Sequence, residues 1–250
     1  MLFPIGDDNS MRRTTPFVVF GLIAANAVMW WLQLTSGEAF TYGFSAVPYE
    51  ITHGTDLLEA ALLETPRGPQ AVPHYPGPSP IHLTLLTSMF MHGSWMHLLG
   101  NMLYLWIFGD QIEDLLGHFR FIAFYLVCGV LAAFAQILSM PDSVIPTLGA
   151  SGAIAGVLGA YLVKYPHNRV RVLVWRTILH MPAVIVLGFW IVLQFISQAG
   201  VPAGSGGGVA YWAHIGGFLA GMALILVLAR GKSTRGLESG WRRRRRGMYG

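Results

Sequence analysis

Three side chains of this 250-residue chain pair nucleophilic or basic chemistry with apolar surroundings: His97, Ser151 and His214. A serine hydroxyl attacks a carbonyl only when a base within hydrogen-bond reach takes its proton, and a neutral imidazole suits that task. Ser151 lies in Gly149-Ala150-Ser151-Gly152-Ala153, and His214 in Ala213-His214-Ile215-Gly216-Gly217. Gly152-xxx-Gly156 and Gly217-xxx-Gly221 have the spacing that lets two helices approach closely, so hydroxyl and imidazole could meet. Acyl transfer also needs donors aimed at the developing oxyanion. His97 and Asn101, four residues apart, share a helix face and could supply them with the Ser151 amide. That amide is expected in the first turn of its helix, where N–H groups lack intrahelical acceptors and the dipole favours negative charge. Each residue alone also fits a structural role, Ser151 in a packing seam and the histidines as hydrogen-bonded core groups. The combination favours chemistry.

Other intramembrane chemistries fit the string less well. His92 and His97 are about 140° apart on a helix, which disfavours a two-histidine metal clamp. A His-Glu-x-x-His zinc motif is absent. Asp110, Glu113 and Asp114 cluster at the far end of the segment that carries His97 and read as interfacial caps, not as an aspartyl pair. The outer halves of the apolar segments carry no carboxylate to orient His214, so a Ser/His dyad is expected rather than a triad, with no metal or cofactor.

These residues need elements that hold them at one level in an apolar solvent. The chain is 54% hydrophobic and 11% charged, against about 25% charged for a soluble domain, and its mean hydropathy is +0.52. That argues for lipid as solvent and excludes disorder and collagen. Cys128 is the single cysteine, so no disulfide can form within the chain. Six apolar windows predict an all-α polytopic membrane protein: Pro16–Leu34, Ser94–Gly109, Phe121–Leu138, Thr147–Val163, Ile178–Ser197 and Val209–Leu228. Arg12 and Arg13 precede the first window without a clear cleavage site, so it reads as a retained helix and not a signal peptide. The second, fourth and sixth windows run in one direction. His97, Ser151 and His214 then lie three to five residues in, at a common depth of roughly 5 to 8 Å.

With both termini cytoplasmic, 15 of the 16 basic residues fall inside and only Arg67 outside, while the acidic residues divide six and six. That asymmetry sets the predicted orientation. The chain divides into a cytoplasmic N-terminus (1–15), a six-helix membrane domain (16–228) and a basic cytoplasmic tail (229–250). Within the membrane domain, 35–93 reads as a long outer loop, Pro-rich over 66–80 and irregular in that half. The run Arg242–Arg246 reads as a tail lying on anionic lipid and not as a nucleic-acid patch.

From His82 to Leu228 the chain resembles the rhomboid family of intramembrane serine proteases. The resemblance rests on MHGSWMHLLGN with His92, His97 and Asn101, GASGAIAG with Ser151, and AHIGGFLAG with His214, Gly217 and Gly221, in the family's order. Gly109, Glu113 and Gly117 resemble the family's second-helix end. The resemblance implies a six-helix rhomboid bundle with Ser151 as nucleophile, His214 as general base, and His97, Asn101 and the Ser151 amide as oxyanion donors. His92, Gly149, Gly152, Gly217, Gly221 and Glu113 are then structural supports. It further implies single-pass membrane proteins as substrates, cut near the outer face of a prokaryotic cytoplasmic membrane, without metal or cofactor. Two positions depart from the family pattern. Ile81-His82 stands where many members have Trp-Arg, and Ala155 stands where some place an aromatic that packs on the histidine, a role Trp212 could take. The competing readings are a catalytically silent relative that binds membrane helices, and a small-solute transporter.

Overall fold

The computed structural model describes residues 3–10, 12–65, 68–200 and 209–231. In chain order these form β1 (Phe3–Asp7), α1 (Phe17–Ser36), α2 (Glu38–Gly43), α3 (Pro48–His53), β2 (Ala61–Thr65) and β3 (Gly68–Val72). Then follow α4 (Thr84–Thr87, between two short 3₁₀ turns), α5 (Trp95–Leu116), α6 (His118–Ser139) and α7 (Ser151–Lys164). A hairpin of β4 (Arg169–Val174) and β5 (Thr177–Pro182) leads to α8 (Ala183–Ala199) and α9 (Tyr211–Leu228). By length and composition α1, α6 and α9 are long and apolar enough to cross a bilayer, and α7 and α8 are shorter apolar helices. Large apolar side chains such as Trp31, Phe119, Leu138 and Val227 face outward, as an integral membrane protein requires.

The middle of the bundle is α7, buried from Gly152 to Tyr161 and packed most closely on α9. Glycine makes that contact possible. A Cβ on Gly217 would collide with the Gly152 carbonyl oxygen, one on Gly221 with the Gly156 carbonyl, and one on Gly159 with the Phe218 carbonyl. The two backbones therefore touch directly, and α6 closes the seam with Ala132 and Ala135 against Gly152 and Gly216.

Charged groups meet at the end of the bundle away from Ser151. Glu113 of α5 accepts the first amides of α1, from Val18 (2.9 Å) and Val19 (2.8 Å), and also pairs with His118 (2.5 Å). Asp110 pairs with Arg12 at 2.8 Å, and Asp114 accepts from the Thr14 amide and hydroxyl. The interfacial-cap reading of these carboxylates thus has concrete partners, with α5 extending to Leu116 rather than ending at Gly109.

Strands correct the all-α expectation. β1, β4 and β5 form an antiparallel sheet in the order β1-β4-β5, beyond the Lys164 end of α7 and roughly 20 Å from Ser151. Residues 178–182, placed in the fifth helix by their apolar count, pair with Arg169–Leu173, and the helix starts at Ala183. The strand signal lies just before that window, in the alternation of exposed Arg169 and Arg171 with buried Val170 and Val172. The fourth helix starts at Ser151 and not Thr147, because Thr147 bridges to Ala46 and Gly149 turns the chain at φ +124°. The segment 35–93 is not one loop. It holds α2, α3, α4 and the β2–β3 hairpin, which extends to Val72 inside the half expected to be irregular. The run Arg242–Arg246 lies outside the described residues.

Asp7 at the end of β1 is buried, and its Oδ2 accepts from Gln111 Nε2 (2.9 Å) and the Tyr161 hydroxyl (2.5 Å). Burial pushes its carboxyl up to about 7, an effect the Tyr161 bond only partly offsets. Burial also pushes Glu50 in α3 up to about 7. A folded-state value above the unfolded one favours the protonated acid, so stability is highest below about pH 4 on this account and declines as pH rises toward 7. Asp7→Asn is expected to flatten that decline, and Asp7→Asn with Glu50→Gln to flatten it further. Melting in detergent between pH 4 and 8 checks this.

Candidate active site

Ser151 is the first residue of α7 and His214 the fourth of α9, so the glycine contact between the helices brings their side chains together. The Ser151 hydroxyl Oγ lies 2.8 Å from His214 Nε2. His214 Nδ1 lies 2.8 Å from Gln194 Oε1 on α8, and the Trp190 ring stands 5.8 Å from the imidazole, tilted by 37°. Both histidine nitrogens are engaged.

Across a cavity of about 610 Å³ are His97, Gly100, Asn101 and Tyr104 of α5, with Ser151, Trp190 and His214 on the near wall. Ser94 caps α5, accepting the His97 amide at 3.1 Å, which fixes where the His97 side chain leaves the helix. The Gly93 amide donates to His97 Nδ1 at 3.4 Å, so His97 Nε2 carries the proton. That nitrogen lies against Gly149, where a Cβ would sit 2.7 Å away. Gly149 combines this approach with its positive φ, and its amide donates to the Ser88 carbonyl at 2.9 Å. Only glycine fits there.

His92 supports from behind. Asn101 Nδ2 donates to His92 Nε2 at 2.9 Å, and the two His92 and His97 rings meet edge to face at 5.0 Å. The helical angle separating them does not apply, since His92 precedes α5. Gln33 near the end of α1 clamps the His92 backbone, accepting its amide at 3.0 Å and donating to its carbonyl at 2.9 Å.

The structure thus gathers Ser151, His214, His97 and Asn101 around one cavity, with His92 and Gly149 adjoining, and places Gly152, Gly217 and Gly221 in the helix seam. Glu113 belongs to the opposite end of the bundle. Sequence reasoning missed Gln194, Trp190 and Gln33. Gln194 and Gln33 carried a signal, being polar residues within apolar segments. Sequence reasoning looked only for a carboxylate behind His214, and the group that meets its Nδ1 is the Gln194 amide. The ring that stands against His214 is that of Trp190 on α8 rather than Trp212, and Ala155 lines the same cavity.

Residues 82–231 match the Rhomboid domain. The chain belongs to the rhomboid family. It is 31% identical over 161 residues to Rhomboid-like protein 11, chloroplastic, of Arabidopsis thaliana, covering 60% of this chain and 54% of that one. It is 31% identical over 150 residues to the human Presenilin-associated rhomboid-like protein, mitochondrial, covering 58% and 38%. It is 36% identical over 148 residues to Rhomboid protease GluP of Bacillus subtilis, covering 58% and 26%. The match therefore spans about half or less of these rhomboid relatives' length. At the Ile81-His82 departure noted above, the Ile81 side chain is buried with its Cδ1 against Gly77.

If glycine contact sets the Ser151–His214 distance, a single methyl in the seam acts on both stability and site. Gly217→Ala is expected to lower the melting midpoint by roughly 5 °C or more through overpacking. Gly188→Ala on α8, where nothing lies within 4 Å, is expected to leave the midpoint unchanged or slightly raised. Melting curves of both variants in detergent decide the matter.

Proposed function

We propose that this rhomboid-family protein is an intramembrane serine endopeptidase that cleaves the transmembrane segments of single-pass membrane proteins. The observation that carries the reading is the 2.8 Å hydrogen bond between Ser151 Oγ and His214 Nε2, on the wall of a cavity of about 610 Å³. In the reaction His214 Nε2 takes the hydroxyl proton as Ser151 Oγ attacks the scissile carbonyl. The negative oxygen of the tetrahedral intermediate is held by His97 Nε2–H, Asn101 and the first-turn amide of Ser151. The imidazolium then gives its proton to the leaving amine, and water releases the acyl-enzyme by the same steps in reverse. The substrate backbone must be extended at the bond that breaks, so helix-weakening Gly or Pro nearby favours cleavage.

The proposal includes six spans, α1, α5, α6, α7, α8 and α9, with both termini cytoplasmic and the dyad toward the outer face. The asymmetric placement of arginine and lysine supports that orientation. A basic tail at Arg242–Arg246 suits an anionic inner leaflet, and the membrane proposed is the cytoplasmic membrane of a prokaryote.

The test is fluorophosphonate labelling, together with cleavage of a single-pass test substrate in proteoliposomes. Ser151→Ala and His214→Ala are expected to lose both, and Asn101→Ala to lose cleavage by roughly a hundredfold. Cleavage that survives Ser151→Ala overturns the reading. A folded wild type that retains the substrate but neither cuts nor labels is instead a membrane-helix-binding protein.

A further inference from the structure

We infer that Gln194 is a positioning residue for His214, completing a Ser151–His214–Gln194 relay in which a neutral amide sets the tautomer of the base. The inference rests on the serine-protease reading above and extends it to a helix, α8, that supplies neither the nucleophile nor the base.

The amide's own orientation comes first. Gln194 Nε2 donates to the Trp190 carbonyl at 3.4 Å, one turn back on the same helix. With the NH₂ group so occupied, the amide presents its oxygen to His214, and Oε1 lies 2.8 Å from Nδ1. An amide oxygen only accepts, so Nδ1 must be the protonated nitrogen. The lone pair then sits on Nε2, 2.8 Å from the Ser151 hydroxyl, where a general base needs it. In the other tautomer two acceptors would face each other at Nδ1, and an N–H would point at the oxygen whose proton has to be removed.

The ring plane is fixed by the same helix. Trp190 and Gln194 are four residues apart and share one face of α8, the first against the imidazole ring and the second at its nitrogen. Trp190 also packs on Phe218, one turn beyond His214 on α9, so the tryptophan is seated independently of the histidine. Other neighbours of His214 do not take this role. The ionisable group facing it from α5 is His97, whose Nδ1 is engaged by Gly93, and α6 offers Gln136, whose side-chain Oε1 accepts from the Ala213 amide at 3.3 Å.

Gln194→Leu removes the acceptor at similar volume, and Gln194→Glu restores an acceptor with charge. In detergent, ¹⁵N resonances of ring-labelled His214, assigned by their loss in His214→Ala, are expected to show a single Nδ1-protonated form in the wild type. Gln194→Leu is expected to give a mixture containing the Nε2-protonated form. Fluorophosphonate labelling of Ser151 is expected to slow by roughly ten- to a hundredfold in Gln194→Leu, with the melting midpoint within a few degrees of wild type. Gln194→Glu is expected to recover most of the rate above pH 8, with the acid limb of the pH profile moved to higher pH, because a carboxylate at Nδ1 favours the charged imidazolium. A purely packing role would move the melting midpoint and leave both tautomer and pH profile unchanged. An unaltered tautomer in Gln194→Leu overturns the inference whether or not the protein cuts anything. A wild type with the expected tautomer that neither labels nor cleaves removes the protease reading and leaves the positioning of His214 standing.

Discussion

The direct contact of backbone with backbone between α7 and α9 is the constraint on which the rest of the site depends. In lipid, helices gain little from burying apolar side chains, since the acyl chains are as apolar as leucine, and association rests on close packing and polar links. Gly152, Gly156 and Gly159 on α7 meet Gly217, Phe218 and Gly221 on α9 with no side chain between the backbones. Only at that separation can a side chain as short as serine reach an imidazole on the neighbouring helix. The hydrogen bond between Ser151 and His214 is then a consequence of the seam, and the seam gains in turn from a polar link at one end.

A second alignment fixes the opposite wall of the cavity. α1 is tied at its start to α5 and near its end to the segment that leads into α5: Glu113 holds its first amides, and Gln33, about 23 Å along the helix, holds the backbone of His92. His92 in turn fixes Asn101, and Gly93 fixes His97. Glu113 therefore reaches the site without being near it. Two hydrogen bonds at one end of α1 and two at the other set the position of α5 relative to the chain segment carrying His92. Burying a carboxylate as deeply as Glu113 is costly unless its oxygens are occupied, and here the α1 amides and His118 occupy them.

Much of this was legible in the sequence because it is written in residue types that have few alternatives. A serine in Gly-Ala-Ser-Gly, a histidine in His-Ile-Gly-Gly and a His-Asn pair at one-turn spacing each narrow the chemistry, and the small-residue spacing names the helices that touch. The corrected parts were those where one signal hid another. Residues 178–182 are apolar enough to join a helix window, yet they pair with β4, where β-branched residues alternate with arginine and which also pairs with β1 from the distant N-terminus. Gln194 was visible as a polar residue in an apolar segment, but its partner depends on the rotation of α8 about its axis, which a single sequence does not fix. Trp190 was obscured for the same reason: nothing in the order of residues says which tryptophan stands against His214.

The chemical type of the group behind His214 follows from its surroundings. A carboxylate there would stabilise the imidazolium more strongly than an amide, but it would also have to remain charged in a poorly solvated site through every idle moment, at a cost of several kcal/mol if its second oxygen found no partner. α8 offers little to satisfy such a charge, for around Gln194 it presents Val192, Leu193, Phe195 and Ile196 outward. An amide orients the ring without that burden, and its own NH₂ group is satisfied within the helix. With Nδ1 held by Gln194 and Nε2 by Ser151, no ring nitrogen is left for a carboxylate. In the proposed reaction the positive charge formed on His214 would be balanced chiefly by the oxyanion across the cavity, so the donors on α5 and the base on α9 would act on a single charge separation. The alignment of α5 by α1 and the seam between α7 and α9 accordingly serve one electrostatic requirement.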